Sequence, residues 1–300
     1  TSDVRATLEK IRRLAEAGCD ITRVAVPDFE AAAALREITS MSPIPVVADI
    51  HFDHKLAVES IKNGAAKIRI NPGNIGGRDK LRIVADQAGK AGIPIRIGVN
   101  SGSVNRDYLA KYGSTDGRAL TESAKDAITE LESVGFRDIV ISVKSSDPLL
   151  TIKVYRLLAD ETDYPLHLGV TEAGTPTKGV VRSSVWIGTL LAEGIGDTIR
   201  VSLTGDPVLE VDCAVSILKA LDLRSTGVQI ISCPTCGRTG VDLISVAEEA
   251  AGHFIDIKVP LNVAVMGCAV NGPGEARDAN AGLAGGHGEV LLFVHGEERG

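Results

Sequence analysis

The sequence predicts an α/β protein: a TIM-type (β/α)8 barrel that opens on a helix, followed by a smaller α+β domain. Three observations carry this reading. Over residues 1–225, short runs rich in Val and Ile alternate with longer helical stretches, the pattern of parallel βα units with buried strands. Polar and charged residues fall late in those runs, where a barrel places its active site. From Thr226 onward the rhythm changes, and three cysteines follow in residues 226–300.

Residues 1–17 read as an amphipathic helix. Ser2 or Thr1 caps it, Val4, Leu8, Ile11 and Ala15 line one face, and Gly18 stops it. Seven strand runs come next, at 21–27, 45–51, 66–72, 94–102, 138–146, 165–174 and 197–204. Several are entered through turn signals, such as Gly92-Ile93-Pro94, Ser42-Pro43-Ile44-Pro45 and Asp163-Tyr164-Pro165. Seven strands after an opening helix is the count of a barrel lacking its first strand; a doubly wound sheet is the alternative. Residues 103–118 lengthen one βα connection with Asp107, Tyr108, Lys111 and Tyr112, and in a barrel would form a lid over the catalytic face. In the second domain, 227–232 and 261–266 read as strands, 241–251 as a helix and 282–288 as a flexible loop.

Composition narrows the function classes. Aromatics make up 3% of the 300 residues and the net charge is −7, which argues against base stacking and against a polyanion-binding surface. Five cysteines, an odd and sparse set, fit a reducing cytoplasmic compartment better than a disulfide scaffold. No apolar run approaches the ~20 residues of a membrane span. The chain starts at Thr1 rather than Met, so a native leader would not be visible.

The strands hold cations where apolar side chains are expected. Arg23, Arg69, Arg96 and Arg200 each sit inside a Val/Ile-rich run, and Lys144 sits similarly in Ile141-Ser142-Val143-Lys144. An unpaired buried cation is very costly, so five of them need a shared counter-charge. Strand alternation puts Asp49 with His51, Arg69 with Asn71, Val170 with Glu172 and Arg200 with Ser202. With Asn100, these residues predict a pocket at the barrel mouth for a compact anion such as a diphosphate, held by guanidinium forks. The alternative is that each cation pairs privately with Asp49, Asp138, Glu172 or Asp197. His51, His54 and Asp49 also permit a metal reading, though His54 falls at the start of the next helix. His167 has the opposite parity to Glu172 and reads as a packed or capped histidine. Asn71-Pro72-Gly73-Asn74 and Gly76-Gly77 form a weak backbone-phosphate signal.

Cys233-Pro234-Thr235-Cys236 and the lone Cys268 hold three corners of a metal site. A thioredoxin-type dithiol leaves Cys268 unexplained, and a zinc ribbon wants a second ligand pair. An iron–sulfur cluster with three thiolates and one different ligand accounts for all three. Glu275, just past Gly272-Pro273-Gly274, is the nearest candidate for the fourth ligand; an oxygen donor there would be readily displaced. Cys19 and Cys213 lie in helical patterns and read as packing residues.

The chain resembles the 4-hydroxy-3-methylbut-2-enyl diphosphate synthases of the non-mevalonate isoprenoid pathway. The resemblance rests on Val46-Val47-Ala48-Asp49-Ile50-His51-Phe52, Arg69-Ile70-Asn71-Pro72-Gly73-Asn74, Arg96-Ile97-Gly98-Val99-Asn100 and Thr171-Glu172-Ala173-Gly174. In the second domain it rests on Cys233-Pro234-Thr235-Cys236 and Val270-Asn271-Gly272-Pro273-Gly274-Glu275. It implies a barrel with an iron–sulfur domain, and a 4Fe–4S cluster on Cys233, Cys236, Cys268 and Glu275. It further implies reductive opening of 2-C-methyl-D-erythritol 2,4-cyclodiphosphate with two electrons from ferredoxin or flavodoxin, in a head-to-tail homodimer. Arg23, His51, Arg69, Arg96, Asn100, Lys144, Arg200 and Ser202 would hold the diphosphate. Glu172 would supply or position a proton, and Asp49 would orient. The family's usual first strand and C-terminal helix are not found in this sequence, so closure of the barrel is open at this point. Alternatives of other classes are a cluster carrier without a small substrate and a zinc-containing phosphosugar hydrolase or aldolase.

Overall fold

The computed structural model describes the chain except residues 72–73, 101–103, 105, 114–115, 146, 170, 172, 255–256, 269, 287–289 and 300, and only the backbone of Arg106 and Glu275. Two compact units result, Thr1–Leu221 and Asp222–Gly300.

The first unit alternates helix and strand. Its helices are α1 (Val4–Glu16), α2 (Phe29–Met41), α3 (His54–Lys62), α4 (Arg78–Ala91), α5 (Arg106–Tyr112), α6 (Arg118–Ser133), α7 (Pro148–Glu161), α8 (Pro176–Ala192) and α9 (Pro207–Ala220). Its strands are β1 (Thr22–Ala25), β2 (Val46–Asp49), β3 (Lys67–Ile70), β4 (Ile95–Asn100), β5 (Ile139–Lys144), β6 (His167–Gly169) and β7 (Thr198–Arg200). All ladders are parallel and sequential from β1 to β5, and β6 pairs with β7. Among the described residues, an isolated bridge, Ile141 to Leu166, joins β5 to the β6 side. Where that ladder thins, the Tyr155 hydroxyl accepts from Val143 N–H at 3.0 Å and donates to His167 C=O at 2.7 Å. Apart from the short α5, the helices pack in sequence, and α9 returns to α1, closing a ring around the strands.

Local chemistry explains the helix starts. Asp3, Asp28, Asp53, Asp147 and Asp206 each sit at an N-cap and accept from a backbone N–H of the first turn. Asp3, rather than Ser2 or Thr1, caps α1, because its carboxylate reaches the Ala6 N–H at 2.9 Å. Gly18 then takes φ 100°, and the helix ends before Cys19. Cys19 is therefore in the turn, its thiol donating to Ile21 C=O at 3.2 Å, while Cys213 is buried in α9. Within residues 103–118, α5 forms, and the Tyr108 hydroxyl donates to Asp126 at 3.0 Å. Residues 103, 105 and 114–115 of that segment lie outside the described ones.

The core is an annulus between strands and helices. Ile68, Ile70, Ile95, Ile97, Ile141 and Val143 are fully buried with Leu35, Ile38, Leu81, Val84 and Leu158 in one cluster. Alternate residues of the same strands point the other way, into the lumen, and there the side chains are largely polar.

The second unit is a five-stranded sheet in the order β12-β11-β10-β9-β8: β8 (Val228–Ser232), β9 (Leu261–Met266), β10 (Ala281–Gly285), β11 (Val290–Val294) and β12 (Glu297–Glu298). Two helices, α10 (Leu243–His253) and α11 (Gly272–Arg277), accompany it. Residues 281–285 are a strand and not the expected flexible loop. Their glycines serve close packing: a Cβ on Gly282 would stand 2.8 Å from Ala276 Cβ, and one on Gly285 2.8 Å from Val241. Residues 287–288 of that expected loop are outside the described ones. No helix among the described residues is long and apolar enough to cross a membrane.

Candidate functional site

The strand register builds a polar layer at the C-terminal ends of the barrel strands. Asp49 on β2 stands beside Arg69 on β3, Arg69 beside Arg96 on β4, and Asn100 beside Lys144 on β5. A cavity of about 460 Å³ opens there, lined by Arg23, Asp49, His51, Arg69, Asn100 and Lys144, with Asn71, Asn74, Ser145 and Thr171. Gly98 makes this layer possible. A Cβ at that position would lie 2.5 Å from the Arg69 guanidinium, which stretches across β4 where the side chain is missing.

Asp49 is the shared counter-ion. Its Oδ1 accepts from Arg69 Nη1 at 3.1 Å, and its Oδ2 lies 3.3 Å from Arg23 Nη1 and 4.0 Å from His51 Nε2. Burial alone would raise the Asp49 carboxyl, but Arg23, Arg69, His51 and Arg96 together hold it below its ordinary value. Asp49 is thus a carboxylate at neutral pH.

Among the described residues, private pairing does not account for the other cations: Arg96, Lys144 and Arg200 make no ion pair. Asp197, one candidate partner, instead accepts from Leu166 N–H at 2.7 Å. Burial, then repulsion from Arg23 and Arg69, pulls the Arg96 guanidinium down to about 9, so it stays charged at neutral pH. Burial, then Arg200, lowers Arg23 to about 10. Lys144 is lowered in the same way: burial first, then Arg200, Arg23, Arg69 and Arg96, bring it down to about 7. Buried donors also lack partners, among them Arg96 Nε and Ser202 Oγ. Among the described residues, cations and donors outnumber acceptors here, and an oxygen-rich anion would complement them.

Several expected residues stand around rather than in the cavity. Arg96 is buried beneath it, and neither Arg200 nor Ser202 lines it, although Arg200 acts on Lys144 through its charge. Glu172 and Val170 lie outside the described residues. His54 begins α3 and faces its own cap, Asp53, at 3.4 Å, so it does not join Asp49 and His51. His167 is buried, with Nδ1 at 2.8 Å from Thr198 Oγ1, and burial followed by Arg96 keeps it neutral. Asn71 and Asn74, from the weak backbone-phosphate signal, line the cavity, whereas Ser145 and Thr171 were not expected. Thr171 shares parity with His167, whereas the sequence reading followed Glu172 and took the other face of that strand.

In the second unit, the parallel pair β8–β9 brings the cysteines to one end of the sheet: Cys233 directly follows β8, and Cys268 follows β9 by two residues. The Cys233 thiol accepts from Gly267 N–H at 3.4 Å, and Gly240 N–H donates to Gly267 C=O at 2.8 Å, drawing the Cys236 loop to the same place. Backbone N–H groups of Asn271, Val270 and Gly272 point at the Cys268 sulfur and lower its thiol, favouring the thiolate. Among the described residues no three of His, Cys, Asp and Glu are set at metal-ligating geometry, and the Glu275 side chain is outside them. Thiolates receiving backbone N–H bonds are nonetheless the donor chemistry that suits an iron–sulfur cluster.

The model of the GcpE TIM-barrel domain matches residues 1–215, and that of the GcpE protein C-terminal domain matches residues 229–299. A protein of Clostridium acetobutylicum named 4-hydroxy-3-methylbut-2-en-1-yl diphosphate synthase (flavodoxin) is 57% identical over 99% of this chain and 85% of its own. Proteins of the same name from Ruminiclostridium cellulolyticum and Geobacter sulfurreducens are 57% and 55% identical, each over 99% of this chain and 84% of its own. Among solved structures, the dihydropteroate synthases of Yersinia pestis and Xanthomonas albilineans share the fold. Their TM-scores are 0.54 and 0.52 at 15% and 18% identity, over 73% of this chain and 88% and 86% of theirs. With both family models covering nearly the whole sequence, the chain belongs to the GcpE family.

Proposed function

We propose that this protein converts 2-C-methyl-D-erythritol 2,4-cyclodiphosphate to 4-hydroxy-3-methylbut-2-enyl diphosphate, taking up two electrons and two protons and releasing water. The observation that carries the reading is the cation excess in the barrel. Among the described residues, Arg23, Arg69 and Lys144 line one cavity with one carboxylate, Asp49, and Arg96 is buried nearby. A diphosphate ester supplies the missing negative charge. Arg23 and Arg69, fixed by Asp49, present planar donor forks to phosphate oxygens, and Asn100, Asn71 and His51 add further polar groups to the lining. Asp49 stays ionised, so it orients the arginines and does not donate a proton. Glu172 is the proposed proton donor. Arg96, Arg200 and Ser202 are proposed to complete the anion site from behind.

Cys233, Cys236, Cys268 and Glu275 are the residues proposed to hold a 4Fe–4S cluster, which when bound supplies single electrons. The names of the relatives support flavodoxin as the electron donor, and we propose a homodimer as the working assembly.

The test is anaerobic. The full chain, reconstituted with iron and sulfide, is given the cyclic diphosphate and reduced flavodoxin, and product is followed by phosphorus NMR. Appearance of the linear diphosphate with cluster oxidation supports the proposal. Stoichiometric zinc without acid-labile sulfide, or binding of the cyclic diphosphate without turnover under reduction, overturns it.

A further inference from the structure

We infer that Lys144 is a carbonyl-reactive amine, and that the barrel cavity is therefore a site of covalent capture for small phosphorylated aldehydes. This rests on the reading of the cavity as an anion site. It adds a modification chemistry that anion binding alone does not require.

The geometry comes first. Lys144 is the last residue of β5, paired in register with Asn100, and it lines the same cavity as Arg23 and Arg69. Asp49 is engaged by those two arginines, and no carboxylate pairs with Lys144 among the described residues. The cations acting on Lys144 are Arg23 from β1, Arg69 from β3, Arg96 from β4 and Arg200 from β7. Also facing this space are Asp49 from β2 and His51 just after it, and from β6 His167, which is neutral. Tyr155, between β5 and β6, is pushed up to about 12 by burial and is neutral as well.

Among the described residues, four guanidinium groups thus act on one amine, with Asp49 as the carboxylate lining the cavity. Guanidinium does not give up its proton in proteins, so the amine is the group that relieves the repulsion. The same surroundings bring Lys144 down to about 7. At neutral pH roughly half of it is then free base, against about one part in a few thousand for an unperturbed lysine near 10.4.

A free amine beside a phosphate site selects its own reagents. An aldehyde carrying a phosphate is held by Arg23 and Arg69 with its carbonyl in reach of Lys144. The Nζ lone pair adds to the carbonyl carbon, the oxygen takes up a proton, and the carbinolamine loses water. One amine and one aldehyde give one imine and one water, with no change of oxidation state. A cavity of about 460 Å³ admits a phosphate with a short carbon chain or one small ring. Such compounds would act as covalent competitors of the proposed substrate.

The experiment uses the full-length protein with pyridoxal 5′-phosphate as probe, borohydride to fix the imine, and peptide mass mapping. At limiting probe the adduct is expected on the Lys144 peptide, at least tenfold above any other lysine. Pyrophosphate should protect it, and pyridoxal without the phosphate should label at least tenfold more slowly. The labelling rate of the unaltered protein should rise with pH to a midpoint near 7. Lys144→Arg, checked for folding by circular dichroism, should lose the adduct. Labelling spread evenly over surface lysines, or a midpoint near 10, overturns the inference without relying on any variant. Calorimetry with pyrophosphate on unlabelled protein separates the two failures. No binding means that the anion site itself is wrong, whereas binding without selective labelling means that only the reactive amine is.

Discussion

Asp49→Asn is the sharpest probe of the barrel site, because it removes the shared counter-charge while keeping the side chain's shape. Two buried contacts are affected, Arg69 at 3.1 Å and Arg23 at 3.3 Å, with the Asp49 side chain only 8% exposed. Removing one partner of a buried ion pair costs about 3–5 kcal/mol, since the other charge is stranded. The asparagine oxygen can still accept from Arg69, and Arg23 is partly open to water, so the lower end, ~3 kcal/mol, is expected. At roughly 2–4 °C per kcal/mol for a unit of this size, melting of the barrel should fall by about 6–12 °C. An anion should then replace the lost carboxylate. Pyrophosphate at 100 times its Kd restores ~2.7 kcal/mol, nearly the whole loss. Its affinity should also rise, by roughly tenfold, because Asp49 no longer competes for the arginines. The assays are thermal melting of the full chain with and without pyrophosphate, and calorimetric titration. If the variant loses stability but binds pyrophosphate more weakly than the parent, Asp49 and its arginines are a structural ion-pair network, and the anion-site argument fails.

Bound pyrophosphate should draw a proton onto Lys144. Its free-state value of about 7 lies below that expected beside a phosphate, so affinity should fall as pH rises above 7, and calorimetry in buffers of different ionisation heat should show proton uptake. Equal affinity at pH 6.5 and 8.5 would contradict this. Arg96→Ala should weaken pyrophosphate binding roughly 10- to 100-fold. The adjacent Ile97→Ala should instead cost ~2–5 kcal/mol of stability and leave the affinity of the folded protein unchanged. Tyr155→Phe strands Val143 N–H and His167 C=O and should cost about 1–3 kcal/mol, read as a lower melting temperature. Glu275→Cys should retain an iron–sulfur absorption spectrum yet turn over far more slowly, and parental turnover would end its role as an exchangeable ligand.

Much of this was legible because it depends on local alternation. Arg96 and Ile97 are neighbours in sequence, and period two alone assigns them to opposite sides of β4. The strands and the cation set follow from that rule. What depends on register or packing was not legible. Nothing in the sequence says that Arg23 and Arg69 both reach Asp49, or that Gly98 clears space for Arg69, until β2, β3 and β4 are aligned. Gly282 and Gly285 suggested a loop because glycine marks turns, yet they sit in β10 where Ala276 and Val241 press close. Asp3 took the cap predicted for Ser2 or Thr1, a choice between adjacent polar residues that composition does not decide. Thr171 was missed because alternation was counted from Glu172.

The division between annulus and lumen explains how one barrel tolerates so much positive charge. Stability comes from Ile68, Ile70, Ile95, Ile97, Ile141 and Val143 packed against the helices, a cluster that is complete without any lumen residue. Val47 and Val140, the buried apolar residues of the lumen face, stand outside that cluster. The lumen is thereby released from holding the fold together and can store unfavourable electrostatics. The neutral His167, the lowered Lys144 and the unpartnered Arg96 Nε and Ser202 Oγ are all signs of that storage. A ligand that brings negative charge lowers this stored energy on binding, so part of its affinity comes from relief of repulsion already present. Neutral analogues of the same shape obtain no such relief. Discrimination for a highly charged diphosphate over an uncharged polyol therefore follows from the strand alternation itself, without any residue dedicated to rejecting the wrong ligand.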